Sequence, residues 1–147
     1  MAMIRRANAV WEGDLMTGSG AVSTSTSQAF SELPVTWEAR TKSANNKTSP
    51  EELMAAAHAS CFSMAFSNGL AKAGTPAQRL DVTAAVTFDQ VPGGWKVTTS
   101  ALTVKGKVAG IDEAGFKQAA EAAKDGCPIS QAIKGNVQLS VEATLEQ

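Results

Sequence analysis

An α+β fold in the order β-β-β-α-β-β-α-α-β is what the periodicity of this chain predicts. Three observations lead there. Segments alternating apolar and polar residues stand toward both ends of the sequence, a strong helix start opens an alanine-rich stretch between them, and turn signals separate the pieces. No internal repeat or linker interrupts the 147 residues, so a single domain spanning 1–147 is expected.

Residues 4–11 and 18–25 read as two strands, joined by Trp11-Glu-Gly-Asp14 and a Gly18-Ser-Gly20 turn, and the Ser/Thr run from Ser23 to Ser27 suits an exposed strand. From Val35 to Arg40, apolar Val35, Trp37 and Ala39 alternate with Thr36, Glu38 and Arg40, which predicts a half-buried third strand with Arg40 at its polar end. Thr41 to Thr48 is a polar loop.

The helix start is Ser49-Pro50-Glu51-Glu52: serine accepts from first-turn N–H groups, Pro50 fits the first helical position, and Glu52 completes a capping box. Leu53, Ala57, Cys61 and Met64 then recur at helical spacing, with alanines around them, predicting a helix to about Lys72 that is buried on nearly all sides. Such a helix needs cover, so it is expected between sheets, with a second copy of the chain supplying part of that cover.

A long hairpin follows, with Val82, Ala84, Val86 and Phe88 alternating, a turn at Val91-Pro-Gly-Gly-Trp95, and a return over 96–104. In the return the apolar positions switch from odd (Trp95, Val97) to even (Leu102, Val104), which signals a bulge or a change of packing face. A second helix opens at Asp112, carries Phe116, Ala119, Ala120 and Ala123 on one face and ends at Gly126. Cys127-Pro128 begins a short third helix to about Ile133, and Leu139, Val141, Ala143 and Leu145 alternate in a last strand.

The net charge of −1, without a Lys/Arg run, gives no reason to expect nucleic-acid binding. Arg5 and Arg6 are followed by no apolar core of a secretory signal, and the longest apolar stretch, around Cys61, is broken by His58, Ser60, Ser63 and Ser67. A cytoplasmic protein, with no membrane partner, is therefore expected. In a reducing compartment a structural disulfide is disfavoured, and two Cys with one His, widely separated, make no zinc spacing. Two unrelated buried thiols or a working redox pair remain.

Cys61, in mid-helix, reads as a small buried hydrophobe or as a reactive thiol. Cys127, between Gly126 and Pro128, sits in an N-cap-like position where the helix dipole and unpaired N–H groups favour thiolate; alternatively Gly-Cys-Pro is only a sharp turn. By residues alone Cys127 is the more acidic thiol, and attack and resolution stay unassigned. Arg40 is either a solvated surface arginine or a cation that lowers a thiol pKa and holds a peroxide oxygen. Glu51 is either a surface acid complementing the helix dipole or the partner of a cation. It precedes Cys61 by about 15 Å of helix, so a direct Glu51–Arg40–Cys61 cluster is strained within one chain and relaxed across a dimer. A Cys61–His58 pair at helical i,i+3 spacing lacks the arrangement of a Cys–His hydrolase, and His58 reads as a packed residue with a satisfied nitrogen.

Ser49-Pro-Glu-Glu-Leu-Met-Ala-Ala-Ala-His-Ala-Ser-Cys-Phe-Ser-Met64 and Gly126-Cys-Pro-Ile-Ser-Gln131 resemble the OsmC/Ohr peroxidases, named for osmotically inducible protein C and organic hydroperoxide resistance protein. Trp11-Glu-Gly-Asp14 and Val22-Ser-Thr-Ser25 are similar to the OsmC branch, and the resemblance covers essentially the whole chain. It implies an intertwined homodimer in which antiparallel sheets wrap two central helices, with active sites at the subunit boundary. It also implies Cys61 as the peroxidatic cysteine, Cys127 as the resolving one, and Arg40 with Glu51 as the pair that keeps Cys61 ionised. The implied reaction reduces organic hydroperoxides, and hydrogen peroxide more weakly, in oxidative or osmotic stress defence. It proceeds through a Cys61 sulfenic acid and a Cys61–Cys127 disulfide, with an external dithiol (a lipoylated protein at the family level) as reductant and no bound cofactor or metal. A non-enzymatic stress protein or a binder of apolar ligands is the alternative reading of the same apolar interior.

Overall fold

A computed structural model describes all residues, Met1–Gln147. The chain divides into two compact units, Met1–Leu53 and Met54–Gln147.

In the first unit, β1 (Ala7–Glu12), β2 (Ser19–Thr24) and β3 (Leu33–Val35) form an antiparallel sheet in that order. The β1–β2 loop is built on Asp14, whose carboxylate accepts from the Met16 and Thr17 amides and the Thr17 hydroxyl. Gly20 lies within β2 opposite Trp11 rather than in a turn. A Cβ there would collide with the Val10 carbonyl and the Trp11 ring, so glycine lets the indole lie across the strand.

The strand expected at 35–40 does not form beyond Val35. Thr36 caps a short helix, α1 (Trp37–Thr41), its hydroxyl accepting from the Ala39 N–H at 3.1 Å. Glu38 in the first turn and Arg40 in the last complement the helix dipole, and this local chemistry outweighs the period-two pattern. Arg40 therefore projects from a helix.

The next helix, α2 (Pro50–Lys72), begins and ends where the sequence predicts. Ser49 Oγ accepts from the Glu52 N–H at 3.1 Å, while the Glu52 carboxylate accepts from the Thr48 hydroxyl rather than closing the reciprocal half of the box. Gly74, at φ +84°, stops the helix in a Schellman turn: the Thr75 amide donates to the Leu70 carbonyl and the Gly74 amide to Ala71. Within one chain the burial of α2 is uneven. His58, Phe62, Phe66 and Leu70 form the buried stripe, whereas Cys61 is half-buried, Ala57 is exposed and Met64 is 67% exposed. The aromatic i,i+4 series claims the core because it carries far more apolar area than the alanine face.

In the second unit β4 (Ala77–Val91) and β5 (Gly94–Val108) form the hairpin, with the irregularity expected from the parity switch. Thr87 pairs with Thr99 and Phe88 with Val97, leaving Thr98 as the extra residue. Thereafter Ser100, Leu102, Val104, Gly106 and Val108 all point inward. After α3 (Glu113–Gly126, capped by Asp112) and α4 (Pro128–Ile133), β6 (Gln138–Glu146) returns to pair with β5 in parallel. The sheet, ordered β4-β5-β6, is thus mixed rather than wholly antiparallel, because the crossover through two helices delivers the chain to the same end of the sheet.

Leu102, Val104 and Val108 of β5 pack with Phe62, Phe66 and Leu70 of α2 and with Phe116 and Ala120 of α3 in one core. Phe66 is its centre, 5.5 Å from the Phe62 ring and 5.0 Å from Phe116, centroid to centroid. Gly106 has no Cβ to strike Phe116, which lets that ring lie on the strand. Phe66→Ala should cost about 3–5 kcal/mol, read as a lowered urea midpoint at unchanged m-value. No helix is long and apolar enough to cross a membrane.

Candidate functional site

Two clusters gather the residues singled out from the sequence. The first lies within Met1–Leu53. Arg40 Nη2 donates to Glu51 Oε1 at 2.7 Å, and Nε lies 3.1 Å from both carboxylate oxygens. The guanidinium also stands 5.9 Å from the centroid of the Trp37 ring, one turn back on α1. Glu51 is 7% exposed, so it is the buried partner of a cation and not a surface acid; Glu52 beside it faces solvent. The planar fork of arginine against one carboxylate fixes the orientation of the charge, which a lysine would not. Arg40 keeps 30% of its side chain accessible and lines a largely apolar cleft of about 330 Å³ with Trp11, Leu15, Val35 and Trp37.

The second cluster lies within Met54–Gln147 and holds both thiols. Cys127 ends α3 and opens α4 at once: its N–H donates to the Ala123 carbonyl at 2.9 Å and its carbonyl accepts from Gln131 at 3.0 Å. Pro128, with no N–H to satisfy, occupies the first position of α4. The Cys127 side chain is fully buried, and it lies near enough to the thiol of Cys61, half-buried on α2, for each to shift the other's pKa.

The two thiol pKa values are shifted in opposite directions. Burial raises the Cys61 pKa and the neighbouring Cys127 raises it further, against a small lowering from the Ile129 amide. Burial also acts to raise Cys127, but the Cys61 thiol, the Ser130 amide and hydroxyl and the Ile129 amide outweigh it and bring its pKa below the ordinary thiol value. These groups act on the sulfur electrostatically; none closes a tight side-chain cap on α4. The amides that open α4 thus act on Cys127 in the direction that the Gly-Cys-Pro position favours, beside the larger effect of the Cys61 thiol.

His58 takes no part in a Cys–His pair. It is fully buried, with Nδ1 2.6 Å from Ser100 Oγ and Nε2 2.8 Å from Ser130 Oγ, and burial lowers its pKa, which keeps the ring neutral. With both nitrogens engaged by serines, the hydrolase arrangement is absent. Ser100 and Ser130 were missed by motif reasoning. Ser100 did carry a signal, being a polar residue on the inward parity of Leu102 and Val104. No group of acidic, histidine and cysteine side chains is arranged to hold a metal ion.

A family model described as OsmC-like protein matches residues 42–142. Peroxiredoxin OsmC of Escherichia coli (strain K12) is 39% identical over 142 residues, covering 97% of this chain and 98% of that protein. An organic hydroperoxide resistance protein of Xanthomonas axonopodis pv. citri (strain 306) is 30% identical over 100 residues, 64% of this chain and 65% of that one. Among solved structures, the organic hydroperoxide resistance protein OhrB of Bacillus subtilis superposes with a TM-score of 0.74 at 21% identity, covering 95% of this chain and 98% of its own. A fold shared across the whole length, together with the identity to the Escherichia coli protein over nearly all of both sequences, makes this chain a member of the OsmC family.

Proposed function

We propose that this protein is a thiol-dependent peroxidase that reduces organic hydroperoxides, with Cys61 as the attacking thiol and Cys127 as the resolving one. The observation that carries the reading is that the two thiols, distant in sequence, are free and near enough to shift each other's pKa. The names of the relatives, a peroxiredoxin and organic hydroperoxide resistance proteins, agree with it.

Accessibility supports this order of events. A peroxide must reach sulfur before it can react, and Cys61 is partly accessible while Cys127 is sealed. Cys61 thiolate attacks one peroxide oxygen, the O–O bond breaks, and the alkoxide leaves as an alcohol after taking a proton, with sulfenic acid left on Cys61. Cys127 then displaces hydroxide from that sulfur, giving the disulfide and water, and an external dithiol restores both thiols by exchange.

The acidity that Cys61 lacks in the single chain has to come from a cation. Arg40, oriented by Glu51, is the group prepared for this, and in a homodimer the Arg40–Glu51 pair meets Cys61 at the subunit boundary. There the guanidinium stabilises the thiolate and the charge on the departing oxygen. The apolar cleft beside Arg40 suits the alkyl or aryl part of the substrate and favours organic hydroperoxides over hydrogen peroxide.

Consumption of cumene hydroperoxide in the presence of excess dithiothreitol tests the reading. Many turnovers per chain are expected, from a species of twice the 15.2 kDa chain mass by light scattering. Consumption that stops at one peroxide per chain would instead make the protein a stoichiometric scavenger or a binder of apolar ligands.

A further inference from the structure

His58 is a buried titratable group that the chemistry above leaves unused. Its ring bridges Ser100 of β5 and Ser130 of α4, and all three side chains are at most 1% exposed, so no bulk water competes for their hydrogen bonds. Ser130 faces two ways: its oxygen is 2.8 Å from His58 Nε2, and it is the third residue of α4, in the first turn after the N-cap Cys127, from where it acts to lower the pKa of that sulfur.

A hydroxyl has a single proton, and the histidine tautomer decides where it points. With the ring proton on Nδ1, that nitrogen donates to Ser100, and Nε2 accepts the Ser130 proton, leaving only lone pairs toward Cys127. With the ring proton on Nε2, His58 donates to Ser130, and the Ser130 proton turns to the sulfur. The first arrangement suits a Cys127 thiol, and the second suits a thiolate.

We propose that His58 is a positioning residue for Cys127: donating from Nε2, it turns the Ser130 hydroxyl onto the sulfur and so stabilises the thiolate that closes the disulfide. The proposal rests on the assignment of Cys127 as the resolving thiol. In the step it serves, the Cys127 thiolate attacks the sulfenic sulfur of Cys61, an S–S bond forms, and the S–O bond breaks. The Cys127 sulfur is oxidised and the Cys61 sulfur reduced, while the departing hydroxide takes up one proton, equal to the one lost when Cys127 ionised, and leaves as water. Ser130 and His58 keep their protons throughout.

Two readouts test this. In a Cys61→Ser background the ultraviolet absorbance of thiolate reports the titration of Cys127 alone. In otherwise wild-type protein, stopped-flow mixing with one equivalent of peroxide reports disulfide closure. His58→Leu should shift the Cys127 titration upward by about one pH unit and slow closure about tenfold at neutral pH. His58→Gln, which keeps an amide N–H where Nε2 stood, should recover to within about threefold. Ser130→Ala should reproduce the shift, and adding His58→Leu to it should produce none beyond it, because His58 acts through Ser130.

A general packing role for His58 would lower the thermal midpoint of His58→Leu and leave the titration where it was. A folded His58→Leu protein with the parental titration and closure rate would overturn the proposal; so would a Ser130→Ala titration equal to the parent, which is available even where His58→Leu fails to fold. Full turnover by Cys127→Ser would refute the resolving assignment instead, while the Cys127 titration still judges the His58–Ser130 contact.

Discussion

Replacing Cys61 by serine is expected to bring hydroperoxide consumption down to the background of dithiothreitol alone. A serine hydroxyl at the same place is far too weakly acidic to ionise near neutral pH and too poor a nucleophile toward a peroxide oxygen. Cys127 would remain in Cys61→Ser as the sole thiol, but it is fully buried, so it should not rescue the reaction. The complementary variant, Cys127→Ser, should react once and then stall, with Cys61 trapped as sulfenic acid and detectable by a dimedone-type reagent as one adduct per chain. The pair of results separates acidity from access. Should Cys61→Ser turn over at the wild-type rate while Cys127→Ser is inert, the roles assigned here would be reversed.

The second large effect concerns Arg40. Arg40→Met removes the charge while keeping most of the apolar stem, and kcat/KM should fall by about 10²–10³, the usual consequence of losing one preorganised electrostatic contact in a reacting centre. Part of any loss could reflect Glu51, which is 9% exposed along its side chain and would be left without its partner. The double variant Arg40→Met/Glu51→Gln removes that buried charge and should regain stability without regaining activity. Arg40→Lys should fall in between, since an ammonium keeps the charge but cannot span both oxygens of Glu51 as Nε and Nη2 do. The pH dependence of Cys61 alkylation by iodoacetamide gives an independent check: the profile of Arg40→Met should move to higher pH. An unmoved profile would mean that some other group ionises Cys61.

How much of this was legible beforehand depended on whether the determinant was local. The ends of α2 were readable because Ser49, Pro50 and Gly74 act on their immediate neighbours. The bulge at Thr98 was readable as a change of parity, and the place of Cys127 at the start of α4 from the Gly-Cys-Pro run. The period-two alternation over Val35 to Arg40 does not make a strand at Arg40, because six residues can alternate by chance, whereas a single Thr36 hydroxyl commits the residues after it to a helix. The stripe Leu53, Ala57, Cys61 and Met64 is as periodic as His58, Phe62, Phe66 and Leu70. Choosing between two faces of one helix requires knowing what packs on it. The parallel pairing of β6 and the bridging of His58 between Ser100 and Ser130 are likewise long-range outcomes, decided by how the α3–α4 crossover returns the chain.

The roles given to Cys61 and Cys127 rest on an arrangement of sulfur atoms that one measurement addresses directly. Fully reduced protein is treated with one equivalent of cumene hydroperoxide without reductant, and its thiols are counted and its peptides mapped under non-reducing conditions. The predicted result is loss of both free thiols and a single cross-linked peptide pair joining Cys61 to Cys127 of the same chain. Two unmodified thiols, or linkage only between separate chains, would contradict it.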